Sequence, residues 1–273
     1  MTTTTKPKIE NLPISSPKTE IHSLYGGKIQ LSFDPKYHLY SVNGERVLGV
    51  TSIIGVIGKP ALMYWAAEMA SKMWYGAIQA GNTYDEVQLK QLFEDAKKAH
   101  TQAKTLAADI GTLIHNWVEK YAKAKITNTP TPELPKNEQM LKAVQAFLQW
   151  EKENKVKFLV SERRLYSKKY NYAGTLDLMI FSNGKNEIVD IKTSSGIYPE
   201  MAYQTAAYQQ AVKEEFPKYK FGPRWIVRIG KDGELETRQL DSQPKDFGAF
   251  LGALAIYSRQ MALKDLLKRN GNN

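Results

Sequence analysis

Two acids and a lysine stand where an apolar strand pair should carry no charge. In "GTLDLMIFSNGKNEIVDIKTS", residues 174–194, Asp177, Asp190 and Lys192 interrupt runs of Leu, Met, Ile, Phe and Val. Asn183-Gly184 is a hairpin turn, which sets Ser182 opposite Lys185 and, stepping back, Asp177 opposite Asp190. Residues two apart share a strand face, so Lys192 joins them, and a loop two residues longer would still leave both acids on one face. Two carboxylates about 5 Å apart repel by about 3 kcal/mol at an effective dielectric near 20. Protonation of one acid or a cation between them relieves the repulsion, and a hard divalent ion with oxygen ligands is the economical answer. The plainer alternative is an exposed face with a simple Asp/Lys cluster.

The helical segments add two polar pairs. His115 and Glu119 in "GTLIHNWVEKY", and Gln204 and Tyr208 in "MAYQTAAYQQA", are each four apart and so share a helical face. A His–Glu pair at that spacing is ordinarily a surface contact. "HNWVE" lacks the second His of a zinc-protease helix.

The elements that must position these residues follow from periodicity. Residues 1–22, rich in Thr, Pro, Ser and Lys, read as a disordered or loosely attached arm. "KIQLSFD" and "YHLYSVNGERVLGV", with the turn Asn43-Gly44, predict a small β element. A long helical region reaches about Lys125, and after a Pro- and Thr-rich connection "MLKAVQAFLQWEKEN" is a further amphipathic helix. Strands are expected near 156–166, 172–181 and 187–193, then a helix from about Pro199 to Glu215. The strands "PRWIVRIG" and "ELETRQL" flank a turn at Lys231-Asp232-Gly233, and a last helix runs from about Lys245 to Lys268. This order predicts an α/β or α+β fold, a sheet covered by helices. Residues 23–273 are expected to form one domain, with 23–130 carrying the β element, the helical region and His115, and 131–273 the core.

Composition narrows the chemistry. The chain of 273 residues has no cysteine, which excludes disulfides, thiolate zinc sites, iron–sulfur clusters and a cysteine nucleophile. A formal charge of +10 favours a polyanion such as nucleic acid, or serves solubility alone. No apolar run is long enough to span a membrane, and the first residues lack the hydrophobic centre of a secretory signal, so an intracellular protein is expected. "GVIGKP", residues 55–60, is not a phosphate loop, because its Gly spacing is wrong and Pro60 replaces the Ser or Thr.

Taken together, "GTLIH", Glu162 in "LVSERRLYS", "GTLD" ending at Asp177, "IVDIKTS" with Asp190 and Lys192, and "QTAAY" with Gln204 and Tyr208 resemble the PD-(D/E)XK nuclease superfamily in its RecB-like branch. These motifs stand in family order over about residues 108–210. Ahead of them, "VTSIIGVIGKPALMYWAAEMA" resembles the amino-terminal region of mitochondrial genome maintenance exonucleases and related phage exonucleases, with Gly49 where a Ser is usual. The resemblance implies a restriction-endonuclease-like core, a central mixed β-sheet flanked by helices, and Mg²⁺- or Mn²⁺-dependent phosphodiester hydrolysis. It implies His115, Asp177 and Asp190 as metal ligands with Ile191 as a further metal contact. Lys192 would position or activate the attacking water, Glu162 support the metal region, and Gln204 and Tyr208 brace the site or touch substrate. Glu119 is held as an outer support of the metal region.

Arg163, Arg164, Lys168 and Lys169 beside the hairpin, with Thr193 and Gln204, are the expected substrate contacts. Tyr64, Trp65, Trp74 and Tyr75 with Lys90, Lys97, Lys98 and Lys104 either line a channel for a threaded strand or, for the Trp residues first, belong to the core. The leading expectation is a DNA exonuclease on single strands or strand ends in replication, repair or recombination, phage or bacterial by analogy. With no ATP motif, unwinding falls to a partner such as a helicase or single-strand-binding protein. The rivals are a structure-selective or duplex-specific endonuclease on the same core and a binding protein whose catalytic core has decayed.

Overall fold

Alternation in the first described stretch builds a meander of β1 (Glu20–Leu24), β2 (Ile29–Asp34), β3 (Leu39–Val42) and β4 (Glu45–Gly49), each antiparallel to the next. The structure, a computed structural model, describes residues 19–79, 81–230 and 233–270. Residues 1–18 of the expected arm and Lys231 and Asp232 of the expected turn lie outside them. β1 begins within residues 20–22, which the sequence assigns to the arm. Only Leu24 in it is buried, so its alternation is too faint to mark a strand from sequence.

After the short helix α1 (Val50–Ile54) come α2 (Pro60–Gln79), α3 (Glu86–Thr127) and α4 (Glu138–Glu153). α3 opens on a capping box, Asp85 accepting from the Gln88 N–H and Gln88 reaching back, and ends where Asn128 turns left-handed. Next are β5 (Lys157–Ser167), β6 (Tyr172–Ser182), β7 (Lys185–Lys192), α5 (Pro199–Glu215), β8 (Phe221–Ile229), β9 (Leu235–Leu240) and α6 (Gln243–Asn270). Pro199 and Glu200 in the first turn of α5 suit its free amide donors.

The strands run β1-β2-β3-β4-β6-β7-β8-β9, with β5 also paired to β6. β4 meets β6 in parallel at Leu48 and Gly49, which joins the meander to the central sheet, and β7 meets β8 in parallel. The result is the expected mixed sheet flanked by helices. One face packs Leu176, Met179 and Ile188 against α1, α5 and α6; the other packs Leu178, Ile180, Val189 and Ile191 against α3 and α4. No helix of the described residues is long and apolar enough to cross a membrane.

The β6–β7 hairpin has the register its turn predicts, from Ser182 opposite Lys185 to Leu178 opposite Val189, and Asn183 and Gly184 both have positive φ. Pairing stops there. Beyond Leu178 the strands part, one step before Asp177 and Asp190. α2 has no buried side chain: Trp65 and Trp74 are half-buried, whereas Tyr64 and Tyr75 are exposed.

Candidate metal centre

The site lies where β6 and β7 part, reached by α3 from one face and α5 from the other. Ile114, Trp117 and Val118 anchor α3 in the core shared with α4, and His115 between them turns to the strands. One turn earlier, any side chain at Gly111 would collide with the side chain of Thr193, so glycine lets α3 approach the end of β7. On β6, a Cβ at Gly174 would lie 2.6 Å from the Tyr208 ring, so glycine there admits the ring of α5. Both glycines sit in the quoted motifs, just before His115 and Asp177. That placement is the signal from which they could have been assigned to the site.

Two slips in alternation aim the acids. Leu176 packs with α5 and Leu178 with α3, so the pleat slips at Asp177, whose carboxylate faces His115. Glu162 on β5 has φ +51°, a left-handed conformation costing a non-glycine residue roughly 1–2 kcal/mol. His115 Nε2 is 3.4 Å from Asp177 Oδ2, and Nδ1 is 3.7 Å from Glu162 Oε1. One ligand atom from each of the three lies within 4.8 Å of the others, a spacing that can hold a cation.

The prediction that Asp177, Asp190 and Lys192 share one face needs correction. Ile188 packs on the α5 side and Lys192 Nζ donates to Gln204 Oε1 of α5 at 3.2 Å, so Asp190 and Lys192 belong to that side while Asp177 turns to α3. Simple alternation fails because the strands diverge and the pleat slips. The halves stay coupled through Ile191, whose N–H donates to Asp177 Oδ2 at 2.8 Å. Asp190 is 0% exposed; its Oδ2 lies 2.6 Å from Lys192 Nζ without hydrogen-bond alignment, and Oδ1 has no hydrogen-bond partner in the protein. Gln204 Nε2 donates to the Tyr208 hydroxyl at 2.9 Å.

Charge is poorly balanced on the α3 side. Burial favours a neutral imidazole, yet contact with Asp177 and the charges of Glu162 and Asp190 lift His115 to about 9. Burial and the Asp177 charge push Glu162 up to about 7, and burial lifts Asp190 to about 6 despite Lys192. Burial opposes the charge of Asp177, but the His115 contact, the Lys192 charge and the Ile191 N–H together hold it below its ordinary value. Lys192 is raised: burial opposes its charge, but Asp190 and Asp177 more than offset that. Two carboxyl groups beside one imidazole and an unpartnered buried oxygen of Asp190 fit a divalent cation with oxygen and imidazole ligands.

The remaining expected residues are more dispersed. Glu119 pairs with Lys123 and adds to the charge pressing on Glu162. Arg164 stacks on the Phe33 ring and pairs with Glu162 at 3.4 Å and Glu20 at 3.2 Å. Arg163 points to the other face of β5, where it pairs with Glu215 of α5 at 2.7 Å. Lys168 and Lys169 lie over Tyr25 and Tyr170, in the turn that follows β5. Thr193 packs on Gly111, while Lys90 and Lys97 pair with Glu86 and Glu94 of their own helix.

No family model and no curated protein match this chain. Among solved structures it is similar to the alkaline exonuclease LHK-Exo of Laribacter hongkongensis, at 11% identity over 57% of this chain and 84% of that one, with a TM-score of 0.34. LHK-Exo in complex with dAMP matches at 12% identity, with the same coverage and TM-score 0.34. SSO0001 matches at 15% identity over 44% of this chain and 62% of its own, TM-score 0.27.

Proposed function

We propose that the protein is a Mg²⁺- or Mn²⁺-dependent deoxyribonuclease, an exonuclease acting on single-stranded DNA or strand ends. Residues 23–273 would form one nuclease domain with a restriction-endonuclease-like core of the RecB-like branch. The observation that carries it is the convergence of His115, Glu162 and Asp177 beside the buried Asp190 and its half-buried partner Lys192.

His115, Glu162 and Asp177 would hold the cation, with Asp190 Oδ1 and Ile191 at the same fork. When bound, it supplies Lewis acidity: it polarises a phosphodiester and lowers the pKa of water. Lys192 is the group that acts on the attacking water. Asp190 and the Gln204 carbonyl hold its ammonium in place, where it orients the water and offsets charge developing on the phosphate. Tyr208 is buried and accepts from the Gln204 amide, which fixes which end of that amide meets Lys192. Glu162 and Asp177 hold His115 between them and so set the donor cluster before any ligand arrives.

A net charge of +10 supports a nucleic-acid substrate, and the exposed Tyr64 and Tyr75 on α2 offer stacking surfaces for unpaired bases. Arg163, Arg164, Lys168, Lys169 and Thr193 remain the proposed substrate contacts. The two arginines would first have to exchange their carboxylate partners for phosphate.

The test is digestion of end-labelled linear and covalently circular single-stranded DNA with Mg²⁺, and with EDTA. Shortening of the linear strand alone, only with metal, is the expected result. Cutting of circles would make the protein an endonuclease, and binding without cutting of single-stranded, duplex and flapped DNA would make it a binding protein.

A further inference from the structure

Arg224 of β8 is among the largest fully buried side chains, at 0% exposure. A buried guanidinium is costly, and a hydrophobic residue of similar volume often gives equal or greater stability. Its Nη1 contacts fall on one turn of α5 and its Nη2 contact on α6. Nη1 donates to the Ala202 carbonyl at 2.8 Å and the Thr205 hydroxyl at 3.2 Å, while Nη2 pairs with Asp246 in the first turn of α6. Ala202 and Thr205 bracket Gln204, the residue that meets Lys192. Arg224 is opposite Ile188 of β7, on the parallel strand pair that ends with Lys192 opposite Arg228.

We infer that Arg224 is a positioning residue for hydrolysis: it fixes the rotation of α5 against the strands that carry Lys192, and so aims Gln204 at the lysine. This rests on Lys192 being the catalytic lysine. A purely stabilising role would need no particular acceptors on either side of Gln204.

The test compares Arg224→Lys and Thr205→Val with the wild type. Lysine keeps a charge for Asp246 but cannot reproduce the guanidinium fork, and valine removes one acceptor at nearly constant shape. Misplacement of a positioned group by about 1 Å costs on the order of 100-fold in rate, so Arg224→Lys is expected to lower kcat by about that factor with KM and Mn²⁺ affinity unchanged. Thr205→Val, the milder change because it leaves the Arg224–Asp246 pair intact, is expected to lower kcat several-fold in the same manner. In a Gln204→Met background neither change should lower kcat further. A kcat within about threefold of wild type, or losses that multiply in the double variants, overturns the inference. Hydrogen exchange supplies a readout independent of DNA cutting. Amides of residues 202–208 should exchange faster in both variants while those of β6 are unaltered. Unchanged exchange there overturns the role of Arg224 even if the wild type cuts no DNA, whereas an inactive wild type with loosened α5 counts only against the nuclease reading.

Discussion

The two sides of the site are built to different standards. On the α5 side, Asp190, Lys192, Gln204 and Tyr208 form a relay in which the half-buried lysine meets a buried carboxylate and amide, and the amide meets a hydroxyl. On the α3 side, His115 lies between two acids, one of them on a left-handed backbone, and their charges press on one another. The first side holds a fixed cation in Lys192, with one Asp190 oxygen left without a partner; on the second the charge facing Asp177 is a proton on His115, which a metal ion would displace. Aiming a catalytic lysine calls for partners that fix its ammonium, whereas a cation site holds protons on its imidazole and carboxyl ligands that the ion displaces on binding.

The sharpest way to break this division is to disable each side separately. Asp177→Asn is expected to abolish both Mn²⁺ binding and DNA cleavage, the latter by about 10³-fold or more, without unfolding the chain; calorimetric titration and circular dichroism check it. Lys192→Ala should lower turnover by roughly 10²–10⁴-fold while Mn²⁺ still binds. Undiminished activity in either variant would show that the site lies elsewhere.

Metal should also stabilise the fold, because it binds the folded cluster. At a Mn²⁺ concentration about 100 times Kd the gain is about 2.7 kcal/mol, seen as a rise in Tm that Asp177→Asn abolishes. Gly111→Ala and Gly174→Ala separate the two sides more gently. Each overpacks a close approach and should cost about 1–3 kcal/mol in denaturant unfolding. The first should weaken Mn²⁺ binding by moving α3, and the second should lower turnover by displacing Tyr208. The smallest effect concerns Glu162→Gly. It relieves a backbone cost of roughly 1–2 kcal/mol at some expense in chain entropy, so Tm should hold or rise slightly while Mn²⁺ affinity falls. A drop in Tm with unchanged affinity would mean that Glu162 serves the fold and not the ion.

The α5 side was the more legible in the sequence. Asn183-Gly184 dictates the hairpin register, and the spacing of Gln204 and Tyr208 puts them on one helical face, which is how they meet. The α3 side was only half legible. His115 and Asp177 stand out by type, but nothing local says that the pleat slips at Asp177 or that Glu162 turns left-handed, and both depend on how neighbouring strands diverge. Arg163 shows the same limit, since charge marks it as a phosphate contact while tertiary packing gives it to Glu215. Arg224 looks like one more basic residue in a strand, and only the third dimension reveals its grip on α5.

The most direct test of the central claim is Mn²⁺ titration run beside single-strand digestion on the wild type, Asp177→Asn and Lys192→Ala. The account predicts that the wild type binds metal and cuts, Asp177→Asn does neither, and Lys192→Ala binds metal with near-native affinity but does not cut. Loss of Mn²⁺ binding in Lys192→Ala, or metal-dependent cutting by Asp177→Asn, would contradict it.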